Sequence, residues 1–309
     1  MERIVLGEAE VLRVREWEGA FMPSADIVPG ATPEDWERNA DLLAPDHWNR
    51  ADDTHLGALQ SWVVRHGGRT VLVDTGVGHR RQRPHNRLFH ERDSDFLDLL
   101  AAAGVRPEDV DVVVNTHLHA DHVGWNTVER DGAWVPAFPN AVYYLPAADH
   151  ASFAPDGPGR AGPASRQEER RLLYADSIEP VVRSGRAVLW TESVRLDEAL
   201  TLEPAPGHSP GSSVLRLDSH GERAVFVGDL LHSPLQLTRP ECNSCFCEDP
   251  VQAAATRRSV LERAADRREL VVPAPVAGAG AAEGGGAGAR VTRTPGGGGR
   301  RGGGGPPPP

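Results

Sequence analysis

The chain has 309 residues, enough for one large domain or two modest ones, and a formal net charge of −11 that argues against coating nucleic acid or anionic membrane. No apolar run reaches the roughly 20 residues needed to cross a bilayer. The opening MERIVLGEAEVLRVREWEG has scattered charges where a signal peptide would have an apolar core. Three clustered cysteines, Cys242, Cys245 and Cys247, do not make a secreted disulfide framework, so the expected setting is the cytoplasm.

In chain order, EAEVLRVRE (8–16) alternates and predicts a strand. LQSWVVRHGGRTVLVDTGVG (59–78) predicts a hairpin turning at Gly67-Gly68 and ending in Asp74-Thr75-Gly76. A polar, arginine- and histidine-rich loop (79–92) follows, expected to be solvated at the mouth of a site. SDFLDLLAAAGV (94–105) has helical spacing, with Asp93 or Ser94 as cap and Gly104 as stop. VDVVVN (110–115) is a short buried-strand run. NAVYYLP (140–146) predicts another strand, and 147–178 a mostly helical stretch broken near 155–163. Three more strands are expected at 199–207, 212–219 and 223–231. A helix over 249–266 follows, capped by Asp249 with Pro250 at its first position, and a last strand at 269–274. Strands and helices mixed in this way predict an α/β sandwich.

Chemistry concentrates in HLHADH, residues 117–122. Alternate residues leaving a strand point the same way, so His117 and His119 can hold one ion while Asp121 and His122, on the turn beyond, face a second. Imidazole and carboxylate suit Zn²⁺, with Mn²⁺, Fe and Co²⁺ also compatible. The motif resembles the HxHxDH signature of the metallo-β-lactamase fold superfamily. Asp74-Thr75-Gly76, PGHSPGS (206–212) and VFVGDLLH (225–232) resemble its further motifs. HADHVGWNT, GDLLHSPLQL and CFCEDPVQAAATRR are most similar to the branch with lactonases and methyl-parathion-hydrolase-like enzymes.

The resemblance covers roughly residues 8–274 and implies an αββα sandwich with one or two metal ions at one edge. It implies His208 as third ligand of the first metal, Asp229 as bridge between the metals, and Asp74 as the acceptor that orients a ligand histidine. His232 and Phe89 are candidates for substrate contact. The implied activity is hydrolysis of a small ester or lactone by a hydroxide made nucleophilic between two cations. The alternatives are a phosphoester or organophosphate hydrolase and a catalytically impaired metal-binding pseudoenzyme. The expected partner is a small molecule, with no nucleic acid or membrane. FMPSADIVPGATPEDWERNADLL (21–43) is a candidate dimer arm.

One expected ligand is missing. The resemblance implies a histidine just after ELVVPA, yet the chain reads Ala274-Pro275-Val276 and has no histidine beyond His232. Residues 275–309 are Gly, Ala, Pro and Arg with little to bury, which predicts a disordered tail after a hydrolase domain of residues 1–274. A mono-metal enzyme and a pseudoenzyme are two explanations. The favoured one is an out-of-frame 3′ end: all 33 basic residues are arginine, pointing to a GC-rich gene, whose out-of-frame reading yields this composition.

Three rival motifs carry less. G-x-S-x-G at Gly207–Gly211 fits a nucleophile elbow, but Pro210 lacks the N–H an oxyanion hole needs. The cysteines lack a fourth ligand for a structural zinc. The arginine-rich loop has no interleaved aromatic platform for nucleic acid. Trp62, Trp125 and Trp134 are expected in packing, with a pocket wall as the alternative.

Overall fold

The computed structural model describes residues 2–157 and 163–278, together with the backbone of 282–283 and 290–291. The strands in chain order are β1 (Arg3–Leu6), β2 (Ala9–Pro23), β3 (Trp48–Asn49), β4 (Thr54–His66), β5 (Arg69–Val73), β6 (Val112–Val114), β7 (Thr127–Arg130), β8 (Ala133–Pro136), β9 (Val142–Pro146), β10 (Ala187–Trp190), β11 (Val194–Arg195), β12 (Leu200–Pro204), β13 (Ser213–Ser219), β14 (Glu222–Gly228) and β15 (Leu270–Pro273). One sheet runs β1-β2-β4-β5-β6-β9-β10, with β3 paired to β4; the other runs β11-β12-β13-β14-β15 and continues into the short strands at 282–283 and 290–291.

Alternation along the strands builds four layers. Val112 and Val114 face the second sheet, against Leu215, Leu217 and Phe226, while Val113 between them packs with Phe96, Leu100 and Tyr143 beneath the outer helices. On β14, Phe226 faces inward. Its neighbours Val225 and Val227 turn out to Val260 and Ala264 of the helix Pro250–Arg267. A side-chain period of two thus gives each strand one face toward the other sheet and one toward helices. The architecture is the expected αββα sandwich.

Local expectations mostly hold, with corrections at element ends. The β4–β5 hairpin turns at Gly67 and Gly68, with φ of 56° and 76°. Asp249 caps its helix by accepting from Gln252 N at 2.9 Å. The helix expected from 94 is Phe96–Ala102, with Asp95 at the N-cap position; Ser94 Oγ accepts from Phe96 N at 3.3 Å and donates to Glu16. The stretch 147–178 resolves into helices Ala147–Phe153 and Ala164–Leu173 and a π turn Tyr174–Ile178. The expected break overlaps 158–162, which lie outside the described residues. In the candidate dimer arm, Ile27, Val28, Trp36 and Leu43 pack on Leu235 and Cys242 of the same chain.

The tail boundary also moves. Val276 and Ala277 are buried. Ala58 N donates to Pro275 O at 3.1 Å, Gln60 Nε2 to Val276 O at 3.1 Å, and Arg13 to Gly278 O. Residues 275–278 therefore belong to the packed unit, and beyond them only the two short backbone pairs lie within the described residues. Among the described residues no helix is long and apolar enough to cross a membrane.

Candidate metal centre

The ends of β5 and β6, parallel neighbours, bring the first motifs together. Asp74, just past β5, has φ of 60°, a left-handed conformation that Asp tolerates better than most residues. This aims its buried carboxylate at the loop after β6. It accepts from Thr116 N, Thr116 Oγ1 and His122 Nδ1, each at 2.8 Å. With Nδ1 donating, His122 has its Nε2 lone pair free to face the site.

His208 arrives on the turn between β12 and β13. Gly207 has φ of 135°, and a Cβ there would lie 2.4 Å from the backbone of Ala253, so glycine is required for the helix Pro250–Arg267 to seat against this turn. Asp149, which the sequence reading missed, fastens the turn to the HLHADH loop. Its buried carboxylate accepts from Leu118 N at 2.9 Å, Ser209 Oγ at 2.8 Å and Gly211 N at 2.5 Å. The one available signal was an aspartate following a predicted strand end, which names no role.

These elements converge six predicted ligands. His117 Nε2 lies 3.1 Å from His119 Nδ1, which lies 2.9 Å from His208 Nε2. Asp229 Oδ2 is 3.4 Å from His208 Nε2 and 3.7 Å from His117 Nε2. Its other oxygen, Oδ1, is 3.0 Å from His122 Nε2, and Asp121 Oδ2 is 3.8 Å from that nitrogen. Two donor groups result: His117, His119, His208 and Asp229, and then Asp121, His122 and Asp229, the atoms of each within 4.8 Å of one another.

The donor set fits divalent cations. Burial drives His117 and His208 well below the usual imidazole range, so both are neutral, with one N–H each. His119 Nδ1 faces both Nε2 atoms and can satisfy at most one with a proton. A cation at their centre satisfies every lone pair. Asp229 Oδ1 has no hydrogen-bond partner of proper geometry despite its closeness to His122, as expected of an oxygen aimed at an ion. Burial opposes the charge of Asp229, but His122 and His232 outweigh it and hold the carboxylate well below its usual range. Burial likewise works against a charged His122, and Asp229, Asp74 and Asp121 reverse the balance and raise it.

Pro275 lines the same cavity as Asp121 and Asp229, at the chain position where a further histidine was expected. Among the described residues the second group therefore has three members. His232 is buried with Nε2 3.3 Å from Asp229 Oδ2 and its ring 5.1 Å from His208 and 5.6 Å from Phe246. It and Phe89 both line the cavity, which holds about 290 Å³ and is walled largely by Trp17, Phe21, Phe89, Phe153 and Phe246.

The rival motifs resolve into structure. Ser209 Oγ is held by Asp149 and Ser212 and leads into strand β13, not a helix. Neither donor group contains a cysteine. The loop 79–92 is not simply solvated: Arg81 lies buried 3.8 Å from the Trp134 ring, and Arg83 is buried in a two-pronged pair with Asp176 at 2.7 and 2.9 Å. His90 Nδ1 accepts from Arg83 N, so it braces the loop. Trp62 and Trp125 pack in the cores.

Comparison with known proteins bears on the fold and the family. A ribonuclease of Thermus thermophilus is 26% identical over 168 residues, 53% of this chain and 33% of that protein; the match thus spans about a third of that relative's length. Among solved structures, a probable metal-dependent hydrolase from Staphylococcus aureus superposes with a TM-score of 0.74 at 15% identity, over 91% of this chain and 94% of the other. AidC, a dizinc quorum-quenching lactonase in complex with a product, gives 0.71 at 21%, over 91% and 92%. The hydrolase AbOPH gives 0.73 at 22%, over 91% of each chain. At such identities the likeness shows a shared fold. The sequence pattern of the Metallo-beta-lactamase superfamily matches residues 56–274, a span that holds both donor groups and most of the chain, and the protein belongs to that superfamily.

Proposed function

We propose that this protein is a metal-dependent hydrolase of small neutral esters or lactones. Asp229 carries the reading: its two oxygens face two separate donor groups on the floor of an aromatic-walled cavity. His117, His119, His208 and Asp229 would hold one cation, and Asp121, His122 and Asp229 a second. Zinc suits this mixed nitrogen and oxygen set, as do manganese, iron and cobalt. Cations there would supply Lewis acidity and a lowered water pKa near neutral pH.

The protein's own groups do the rest. Asp74 fixes the tautomer of His122, and the aromatic side chains supply an apolar wall beside the donor groups. His232 stands beside Asp229 at the cavity wall, positioned to touch the bound substrate. Arg83, Arg166 and Arg170 also reach the wall, but Arg83 and Arg170 are paired with the carboxylates of Asp176 and Glu248, and Arg166 acts on Glu169 of the same wall. Their charge is balanced, which favours a neutral substrate over an anionic one. Phosphotriesters are the second substrate class, since a neutral phosphoryl centre suits the same walls. The three-member second group favours one further reading, a metal-binding protein with impaired turnover. The substrate is a small molecule, with no nucleic-acid or membrane partner, and the protein works in the cytoplasm as a homodimer.

The test begins with metal content per chain by elemental analysis. A panel of lactones, aryl esters and phosphotriesters follows, with Asp229→Ala as the blank. Hydrolysis that survives Asp229→Ala rejects the proposal.

A further inference from the structure

Each ligand histidine has a second ring nitrogen, and what that nitrogen meets decides how firmly the first is aimed. His122 Nδ1 donates to Asp74. His117 Nδ1 lies 3.1 Å from Thr116 Oγ1. His208 Nδ1 is buried without a partner. His119 turns Nδ1 toward the first donor group, so its Nε2 must carry the proton, and that nitrogen lies 3.6 Å from Glu248 Oε1.

Glu248 is fixed there by its backbone. Its N–H donates to His208 O at 3.0 Å, and Asp249 N donates to Gly207 O at 2.9 Å. The residues before the helix Pro250–Arg267 are thereby zipped to the turn that carries His208. One short segment thus places a carboxylate against His119 while bracing the loop of His208. The same oxygen, Glu248 Oε1, accepts from Arg170 Nη2 at 2.5 Å. Arg170 lies over the Phe153 ring at 4.6 Å, and that ring is 5.9 Å from His119.

We propose that Glu248 is a positioning residue for His119, the counterpart in the first donor group of Asp74 in the second, with Arg170 as its balancing charge. This rests on the reading that His119 binds a cation. At 3.6 Å the contact is longer than a hydrogen bond. A cation held by Nδ1 would make Nε2–H a stronger donor toward Glu248. The rival explanation is that Glu248 serves only as the counter-ion of Arg170, in which case removing either partner has the same effect.

Zinc titration of the metal-stripped full chain against a chromophoric chelator separates these cases, with the wild type, Glu248→Gln and Arg170→Gln in parallel. Glu248→Gln keeps the shape and removes the charge, and is expected to weaken one zinc equivalent by about 10- to 100-fold. Arg170→Gln leaves Oε1 free for His119 and is expected to hold that affinity or raise it. The visible spectrum of the Co²⁺ form should shift in Glu248→Gln and stay in place in Arg170→Gln. The melting temperature of each metal-free variant checks that the fold persists, and Glu248→Asp, which shortens but keeps the charge, should restore part of the affinity. Equal zinc affinity in the wild type and Glu248→Gln overturns the inference, as do equal losses in Glu248→Gln and Arg170→Gln. A wild type that binds no zinc overturns the metal reading itself.

Discussion

Replacing Asp74 with Asn changes almost no volume but inverts the chemistry behind His122. Three donors point at the native carboxylate: Thr116 N, Thr116 Oγ1 and His122 Nδ1, all at 2.8 Å. An amide offers one oxygen and adds an NH₂, so at least one donor faces another donor. If the amide oxygen keeps Thr116 N, its NH₂ faces His122, whose best response is to move the proton from Nδ1 to Nε2. That tautomer has no lone pair for the second donor group. Loss of such an orienting partner typically costs about 10- to 100-fold in metal affinity, or roughly 1.4–2.8 kcal/mol. The metal-free fold should lose about 1–3 kcal/mol as well, because a buried donor goes unsatisfied. Zinc titration should show one weakened equivalent, and calorimetry without metal a melting temperature lower by a few degrees. Two unchanged zinc equivalents in Asp74→Asn would refute the tautomer argument.

Asp229→Ala removes the carboxylate shared by both groups, so metal content should fall below one per chain and hydrolysis to background. Elemental analysis and the substrate panel together check this. Pro275→His puts an imidazole on the cavity wall near Asp121 and Asp229 and should tighten the second zinc equivalent at least tenfold; an unchanged titration would show that this wall position does not reach the second group. Glu16 gives a pH prediction away from the metals: burial lifts its carboxyl to about 6, against hydrogen bonds from Ser94 and Val77 that pull it down. A carboxyl raised by folding stabilises most below its unfolded value near 4.5, and that contribution is lost as pH rises through about 6. Wild type should therefore lose about 1 kcal/mol relative to Glu16→Gln between pH 4.5 and 6, and on the order of 2 kcal/mol once both states have titrated fully. Urea melts of the metal-free pair that run parallel across this range would contradict it.

The convergence of the six candidate donors was legible because strand ends and spacing constrain them: His117 and His119 alternate off β6, and Asp229 follows the apolar run of β14. Asp149, Glu248 and Arg170 were not legible. Each acts across the fold, over separations such as the 62 residues between Asp149 and Gly211, and no local pattern distinguishes a bracing carboxylate from a surface one. The loop 79–92 misled for a related reason. Its arginines look solvated in sequence, yet Arg81 and Arg83 are buried because carbonyls of Gly124 and Thr127 and the Asp176 carboxylate await them.

The start of the tail shows the same tension between composition and tertiary context. Nothing in APVAG suggests order, since its side chains have little apolar surface to bury. Order comes instead from the carbonyls. Pro273 O accepts from Trp62 Nε1 at 3.4 Å, Pro275 O from Ala58 N, and Val276 O from Gln60 Nε2 at 3.1 Å and Arg13 Nη2 at 3.3 Å. Arg13 is buried, and burial lowers its pKa against the pull of Glu2. A buried guanidinium needs acceptors, and the segment 276–278 provides them. The fold thus holds a backbone path past the two donor groups through its carbonyls. Position 275 is fixed at the cavity wall by interactions that do not depend on its identity, which is why Pro275→His can test the second metal group without rebuilding the strand that leads to it.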